Sequence, residues 1–220
     1  RVVYGKEENV IYNQDIQHPS VRGCLQCLNI PDGVEIHHDG DLPARSGLGS
    51  SSSFTVGLIH ALYALKQKMI SKRQLAEEAI DVEQNRMHES VGVQDQILAA
   101  YGGFRIIELG PGANWNVKNM LLPIEYLKDL EDHVLLGFSG ISRKAEQHAK
   151  NKVKNIKQGN TTEELQAITA LAQEALQAFQ QQACFDKIGR LLDQSWQYKR
   201  RLAEGVSADW MDELYQSALR

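Results

Sequence analysis

The chain has 220 residues, of which 42% are hydrophobic and 24% charged, and its net charge is −4. This is the composition of a globular protein with a core of ordinary size. The acidic balance argues against a dedicated nucleic-acid binder, which carries a basic excess, and no apolar run approaches the ~18 residues that a membrane span needs. The three cysteines, Cys24, Cys27 and Cys184, are an odd number and point away from a disulfide framework. With no signal peptide recognisable at the start, the expected location is cytoplasmic.

In chain order, residues 2–41 read as strands broken by turns. Cys24-Leu25-Gln26-Cys27 has CxxC spacing, but neither a second CxxC nor a CxxH follows, so the pair reads as small buried residues in a strand rather than half a zinc or redox site. Val34 to His38 alternates apolar and polar, as a half-buried strand does. A loop of small residues, 43–53, leads into a helix with Phe54, Leu58, Ala61, Leu62 and Leu65 on one face. Ser71 and Gln74 form a capping box for a second helix, whose apolar stripe is Leu75, Ala79 and Val82, with Glu83 beside it. A loop over 88–94 precedes a short helix at Asp95, ended by Gly102-Gly103; a strand over 104–109 and a turn region over 111–116 follow. Val134 to Phe138 reads as a strand of buried type.

Beyond Ser139 the pattern is almost all helical: 142–157, 161–182, 185–203 and 209 onward. The basic run from Arg143 to Lys157 reads as the solvated face of the first of these. Strands concentrated in one half and helices in the other predict an α+β architecture, divided between Leu122 and Val134 into residues 1–128 and 129–220. The chain opens on Arg1 as if in mid-strand and stops as if in mid-helix, so a fragment of a longer protein is expected.

Two features carry chemistry. The first is Pro43-Ala44-Arg45-Ser46-Gly47-Leu48-Gly49-Ser50-Ser51-Ser52. Glycines let backbone approach a ligand, and the serines run directly into an amphipathic helix whose first amides lack internal partners and sit at the positive end of the dipole. That combination is an anion cradle suited to phosphates. Neither GxxxxGK[ST] nor GxGxxG is present, so this is not a Walker loop or a dinucleotide fingerprint. The second feature is a carboxylate pair: Glu83 near a helix end, and Asp95 within Gly92-Val93-Gln94-Asp95-Gln96. Phosphoryl transfer needs Mg²⁺ against the phosphates and a group that accepts or orients the hydroxyl proton of the nucleophile. A carboxylate with a loop serine suits hard Mg²⁺. A carboxylate on a helix is more often a solvated charge; its pairing with the glycine-serine loop reverses those odds.

Pro43 to Ser52 resembles the second motif of the GHMP kinase superfamily, PxxxGLGSS[AS], and Glu83 with Gly92 to Gln96 resembles its acid helix and catalytic loop. Asp41-Leu42-Pro43 running into Gly49 to Leu58, Gln94-Asp95-Gln96 running on to Tyr101-Gly102-Gly103-Phe104, and Ser139-Gly140-Ile141-Ser142-Arg143 are similar to segments of the D-glycero-D-manno-heptose 7-phosphate kinases and related sugar kinases, fucokinase domains included. The resemblance implies a GHMP kinase fold, with a ribosomal-S5-like, ATP-binding N-terminal half at 1–128 and a helix-rich C-terminal half at 129–220, both incomplete. It implies ATP and Mg²⁺, with Pro43, Gly47, Leu48, Gly49, Ser50, Ser51 and Ser52 binding ATP, Ser51 and Glu83 the metal, and Asp95 acting as base. Gln94, Ser142 and Arg143 are candidates for the acceptor; a guanidinium fork suits phosphate.

The implied activity is transfer of the γ-phosphate of ATP to a hydroxyl of a sugar or sugar phosphate, D-glycero-D-manno-heptose 7-phosphate foremost. Fucose, galactose or mevalonate as acceptor, or a non-catalytic ligand-binding relative, are the alternatives; loss of Asp95 or Glu83 would have favoured the last. The family's glycine-rich first motif and its third motif, GAGGGG, are missing from the chain. A small-molecule sugar is the expected partner, nucleic acid and membrane are not, and a homodimer stays open.

Overall fold

The computed structural model describes residues 1–31, 33–41, 47–137, 156, 159, 161–203 and 205–219. The chain divides into two compact units, Arg1–Val117 and Lys118–Arg220.

The first unit opens with β1 (Val2–Val3) and β2 (Glu7–Glu8), then α1 (Pro19–Cys27) and β3 (Ile36–His37). The strands form a sheet in the order β2-β1-β3. β1 pairs antiparallel with β2 through Val2 opposite Glu8, and parallel with β3 through Val2 opposite Ile36. A parallel neighbour requires a crossover, and α1 supplies it. This corrects the expectation of strands alone over 2–41: Cys24 and Cys27 lie in a helix. The spacing Val21, Cys24, Leu25, Leu28 is helical, and all four are buried. Pro19 opens the helix, and His18 Nδ1 caps it by accepting from the Val21 amide at 3.4 Å. At its far end Asn29 takes φ 47°, and Ile30 N–H donates back to Leu25 O at 3.0 Å, a Schellman closure with Asn in the glycine position.

α2 (Ser50–Leu65), α3 (Lys72–Asp81) and α4 (Gln94–Tyr101) pack on one another, with α1 against α2. The face of α2 differs from the expected one: Leu58 and Leu62 are buried, but Ala61 is exposed and Leu65 is 62% exposed, while Ser52, Thr55, Val56 and Ile59 turn inward. The helix is apolar around much of its circumference, so pattern alone does not set its rotation. α3 is capped as expected, the Ser71 hydroxyl accepting from Gln74 N–H at 3.1 Å, and Leu75, Ala79 and Val82 are buried. β4 (Arg105–Leu109) and β5 (Trp115–Asn119) pair into a second sheet, so strand structure begins inside the expected turn region.

The second unit holds α5 (Ile124–Asp132), α6 (Thr162–Gln180), α7 (Phe185–Arg201) and α8 (Asp209–Ala218). α6 and α7 pack together around Ala178, Ile188 and Leu191. The buried strand expected at 134–138 is not found among the described residues: Leu135 is 97% exposed, and neither sheet includes the segment. An apolar run becomes a buried strand only where a neighbouring strand can satisfy its backbone. Phe138 and the helix expected over 142–157, with its basic run, lie outside the described residues, apart from Ile156, which is helical. The architecture is α+β and helix-rich, as expected.

Candidate active site

Gly49 is the N-cap of α2, at φ 69° and ψ 19°. This left-handed backbone favours glycine, and the cap has no side chain to satisfy the amides of the first turn. Ser53 N–H returns to Gly49 O at 2.9 Å; the amides ahead of it, at Ser50 to Ser52, precede the first position that can find an intrahelical acceptor. A second constraint comes from across the fold. A Cβ built on Gly49 would lie 3.2 Å from Asp95 Cγ and 3.3 Å from Asp95 Cβ. The helix start and Asp95, on the first turn of α4, are thus in direct contact.

Glu83 lies on neither regular helix. After α3 the chain widens into a π-helical turn, Val82–Arg86, with Met87 N–H donating to Val82 O at 2.9 Å. Such turns often occur at functional sites. Here the turn carries Val82 and Glu83 inward together, and both are 0% exposed. α1 presses on the same turn at Gly23, where a Cβ would meet Val82 Cγ1 at 3.0 Å.

A buried carboxylate needs donors, and two reach Glu83. Ser52 Oγ donates to Glu83 Oε2 at 3.0 Å, and Gln96 Nε2 donates to the same oxygen. Among the described residues, Glu83 Oε1 has no hydrogen-bond partner. Burial pushes the Glu83 carboxyl above its ordinary value; Gln96, Ser52 and the nearby Thr55 hydroxyl, which donates to Ser51 O at 3.1 Å, pull it back in part, and the charge of Asp95 adds to the rise.

The structure therefore joins the described end of the expected loop, Gly49 to Ser52, with Glu83 and Asp95. The hydroxyl that meets Glu83 is that of Ser52, while Ser51 is exposed one position earlier. Gly47 and Leu48 lead into the helix start, and Gln94 is exposed beside Asp95. Pro43, Ser142 and Arg143 lie outside the described residues. Neither Ser52 as a partner of Glu83 nor the role of Gln96 followed from the sequence pattern. Buried spacing across α4, Gln96 with Ile97 and Ala100, was the available signal for the latter.

Mg²⁺ is the metal this constellation raises. Among the described residues no group of three or more His, Cys, Asp or Glu side chains could hold an ion. Mg²⁺ does not need one, because it is commonly held by one or two carboxylates plus substrate phosphates. A buried carboxylate oxygen without a donor among the described residues, next to a helix start whose first amides lack intrahelical acceptors, fits that pattern.

Comparison with known proteins agrees with the geometry. Residues 19–103 match the family model of the GHMP kinases N terminal domain, a range that contains α1, the helix start, Glu83 and Asp95. The D-glycero-alpha-D-manno-heptose 7-phosphate kinase of Campylobacter jejuni is 29% identical over 194 residues, covering 86% of this chain and 56% of that protein. The bifunctional fucokinase/GDP-fucose pyrophosphorylase of Arabidopsis thaliana is 25% identical over 189 residues, covering 84% of this chain and 18% of its own length. A crystal structure of a D-glycero-D-manno-heptose 1-phosphate kinase from Bacteroides thetaiotaomicron superposes with a TM-score of 0.65 at 23% identity, over 85% of this chain and 56% of that one. The chain thus spans about half the length of the heptose kinases it matches. It carries a GHMP kinase N-terminal domain, and its fold is that of the GHMP kinases.

Proposed function

We propose that the protein transfers the γ-phosphate of ATP to a hydroxyl of a sugar phosphate of the D-glycero-D-manno-heptose 7-phosphate kind. The observation that carries this reading is Glu83: a carboxylate withdrawn wholly from water, with one oxygen committed to Ser52 and Gln96 and the other free, beside Asp95 and the start of α2. Burying a carboxylate is costly, and a dication held there with ATP would add to the compensation that Ser52 and Gln96 supply. The similarity to the Campylobacter heptose 7-phosphate kinase supports the acceptor.

In this reading the amides of Gly47 to Ser52 cradle the ATP phosphates, with Pro43 and Leu48 shaping the loop. Glu83 and the Ser51 hydroxyl would hold Mg²⁺, with Ser52 bonded to Glu83 beside them; the ion would supply positive charge against the β- and γ-phosphates. Asp95 takes the proton of the attacking hydroxyl as its oxygen bonds to the γ-phosphorus, and the bond to the β-phosphate oxygen breaks to release ADP. Gln94 orients the acceptor, and Ser142 with Arg143 binds the phosphate it already carries. The N-terminal, ATP-binding part is assigned to residues 1–128 and the helical part to 129–220. We place the enzyme in the cytoplasm, with its sugar phosphate as partner and a homodimer compatible with it.

The test is acceptor-dependent ADP release by the full-length protein. D-glycero-D-manno-heptose 7-phosphate should give the highest kcat/KM among that compound, the 1-phosphate, fucose, galactose and mevalonate. Fucose as the preferred substrate would move the assignment toward the fucokinase likeness. ATP binding without turnover of any acceptor would overturn the reading in favour of a ligand-binding relative.

A further inference from the structure

We infer that Gln96 is a positioning residue: it determines which oxygen of Glu83 is presented to a cation. The inference rests on the reading of Glu83 as a metal ligand. Gln96 is 1% exposed and sits on the buried face of α4 with Ile97 and Ala100, one residue from Asp95. Its Nε2 donates to Glu83 Oε2, the same oxygen that receives Ser52 Oγ, and Glu83 Oε1 is left without a donor. A carboxylate has about four lone-pair sites over its two oxygens. Two donors on one oxygen leave the second as the site where a hard cation gains most.

The residue type matters. A lysine or arginine here would neutralise Glu83 and compete with the metal, and a second carboxylate could not donate. A neutral amide orients the charge without cancelling it. The opposite amide orientation would set the Gln96 carbonyl against the carboxylate, so the assignment of nitrogen and oxygen follows from the chemistry. A glutamine serving only the core would have both ends satisfied. Among the described residues the Oε1 of Gln96 has no partner, and the side-chain hydrogen bond found there runs to Glu83. Because Gln96 follows Asp95 on the same helical turn, the bond also locks the helix that carries the base to the carboxylate that faces the metal. Hydrogen-bond partners of metal ligands commonly matter at the level of ~10–100-fold in metal affinity or activity.

The experiment uses the full-length protein, a non-hydrolysable ATP analogue and Mn²⁺ as a spectroscopic substitute for Mg²⁺, with binding followed by electron paramagnetic resonance. Gln96→Met keeps length and volume but removes the donor. It should weaken Mn²⁺ by ~10–100-fold and raise the Mg²⁺ concentration for half-maximal turnover by a similar factor, with kcat largely recovered at saturating Mg²⁺. A residue needed only for packing would instead lower the melting temperature and leave the metal dependence in place. If Gln96→Met does not fold, Gln96→Asn, which keeps the amide but loses its reach, is measured instead and should move the same way. Unchanged Mn²⁺ affinity in the folded variant, alongside its loss in Glu83→Gln, overturns the role of Gln96 and leaves the proposed function intact. Unchanged affinity in Glu83→Gln removes Glu83 as a metal ligand, and the role of Gln96 with it.

Discussion

Among the described residues both compact units carry exposed ion pairs, but only the first buries a carboxylate completely. In Arg1–Val117 a carboxylate is taken wholly out of water and held by two donors on one oxygen. In Lys118–Arg220 the polar pairs sit at helix surfaces: Arg200 meets Asp212 at 2.6 Å with both side chains about a third exposed, and Tyr215 OH donates to Asp193 at 2.7 Å. Such half-wet pairs contribute little individually, whereas an unpaired buried charge is costly enough to need a reason. The first unit also has a continuous core from Val2 to Trp115, while the described core cluster of the second is Ala178, Ile188 and Leu191. Among the described residues, the buried carboxylate lies in the unit with the more extensive core.

If that contrast is right, the largest losses of function come from the first unit. Asp95→Asn should lower kcat by ~10²–10⁴-fold while ATP still binds, as steady-state kinetics beside calorimetric titration of ATP would show. Near-normal kcat would remove Asp95 from the mechanism. Gly49→Val should abolish most ATP affinity. Its backbone is left-handed at φ 69° and its new Cβ would press on Asp95 Cγ at 3.2 Å, so the helix start must move. Equal ATP affinity in parent and variant would sink the phosphate cradle.

Gly23→Val tests whether packing by α1 positions the π-helical turn. A Cβ at this position already comes within 3.0 Å of Val82 Cγ1, so the two further methyls of valine add to the collision, and overpacking costs about 1–3 kcal/mol. Denaturant unfolding should show that loss, together with weaker Mg²⁺ dependence of activity; a stability loss with unaltered metal response would uncouple α1 from Glu83.

Glu83 itself separates stability from function. Burial raises its folded pKa above the unfolded value, so the folded state holds this proton more tightly than the unfolded chain does. Its stabilising contribution is full below the ordinary carboxylate pKa and is lost as pH rises through the folded pKa. Glu83→Gln should therefore melt higher than the parent at pH 8 in the absence of metal, with the gap closing as pH falls toward ~4.3, while turnover drops. A gap that is constant with pH would mean that Glu83 is not held against its charge.

The smallest effect belongs to the second unit. Tyr215→Phe removes the bond to Asp193 and should cost ~0.5–1.5 kcal/mol in denaturant unfolding with no change in kcat/KM. A kinetic effect there would break the division between the units.

Much of this was legible in the sequence. The glycine-serine run ahead of an apolar helix, the Ser71 cap with its Leu75, Ala79, Val82 stripe and the short helix closed at Gly102 all depend on local rules: backbone permissiveness, side-chain capping and period 3.6. Even α1 was encoded, in the spacing of Val21, Cys24, Leu25 and Leu28, though the surrounding strand-like composition masked it. What only the tertiary structure decided depends on partners distant in the chain. The rotation of α2 buries Ser52 against Glu83, thirty-one positions on, and leaves Leu65 exposed. Val134 to Leu136 stays exposed because no described strand pairs with it. The commitment of Gln96 to one oxygen of Glu83, and the contact of Gly49 with Asp95, exist only once α2, the π-helical turn and α4 are packed together. Local sequence sets which residues can cap, cradle or carry charge; the choice of which oxygen and which hydroxyl meet is a long-range steric outcome that no periodicity encodes.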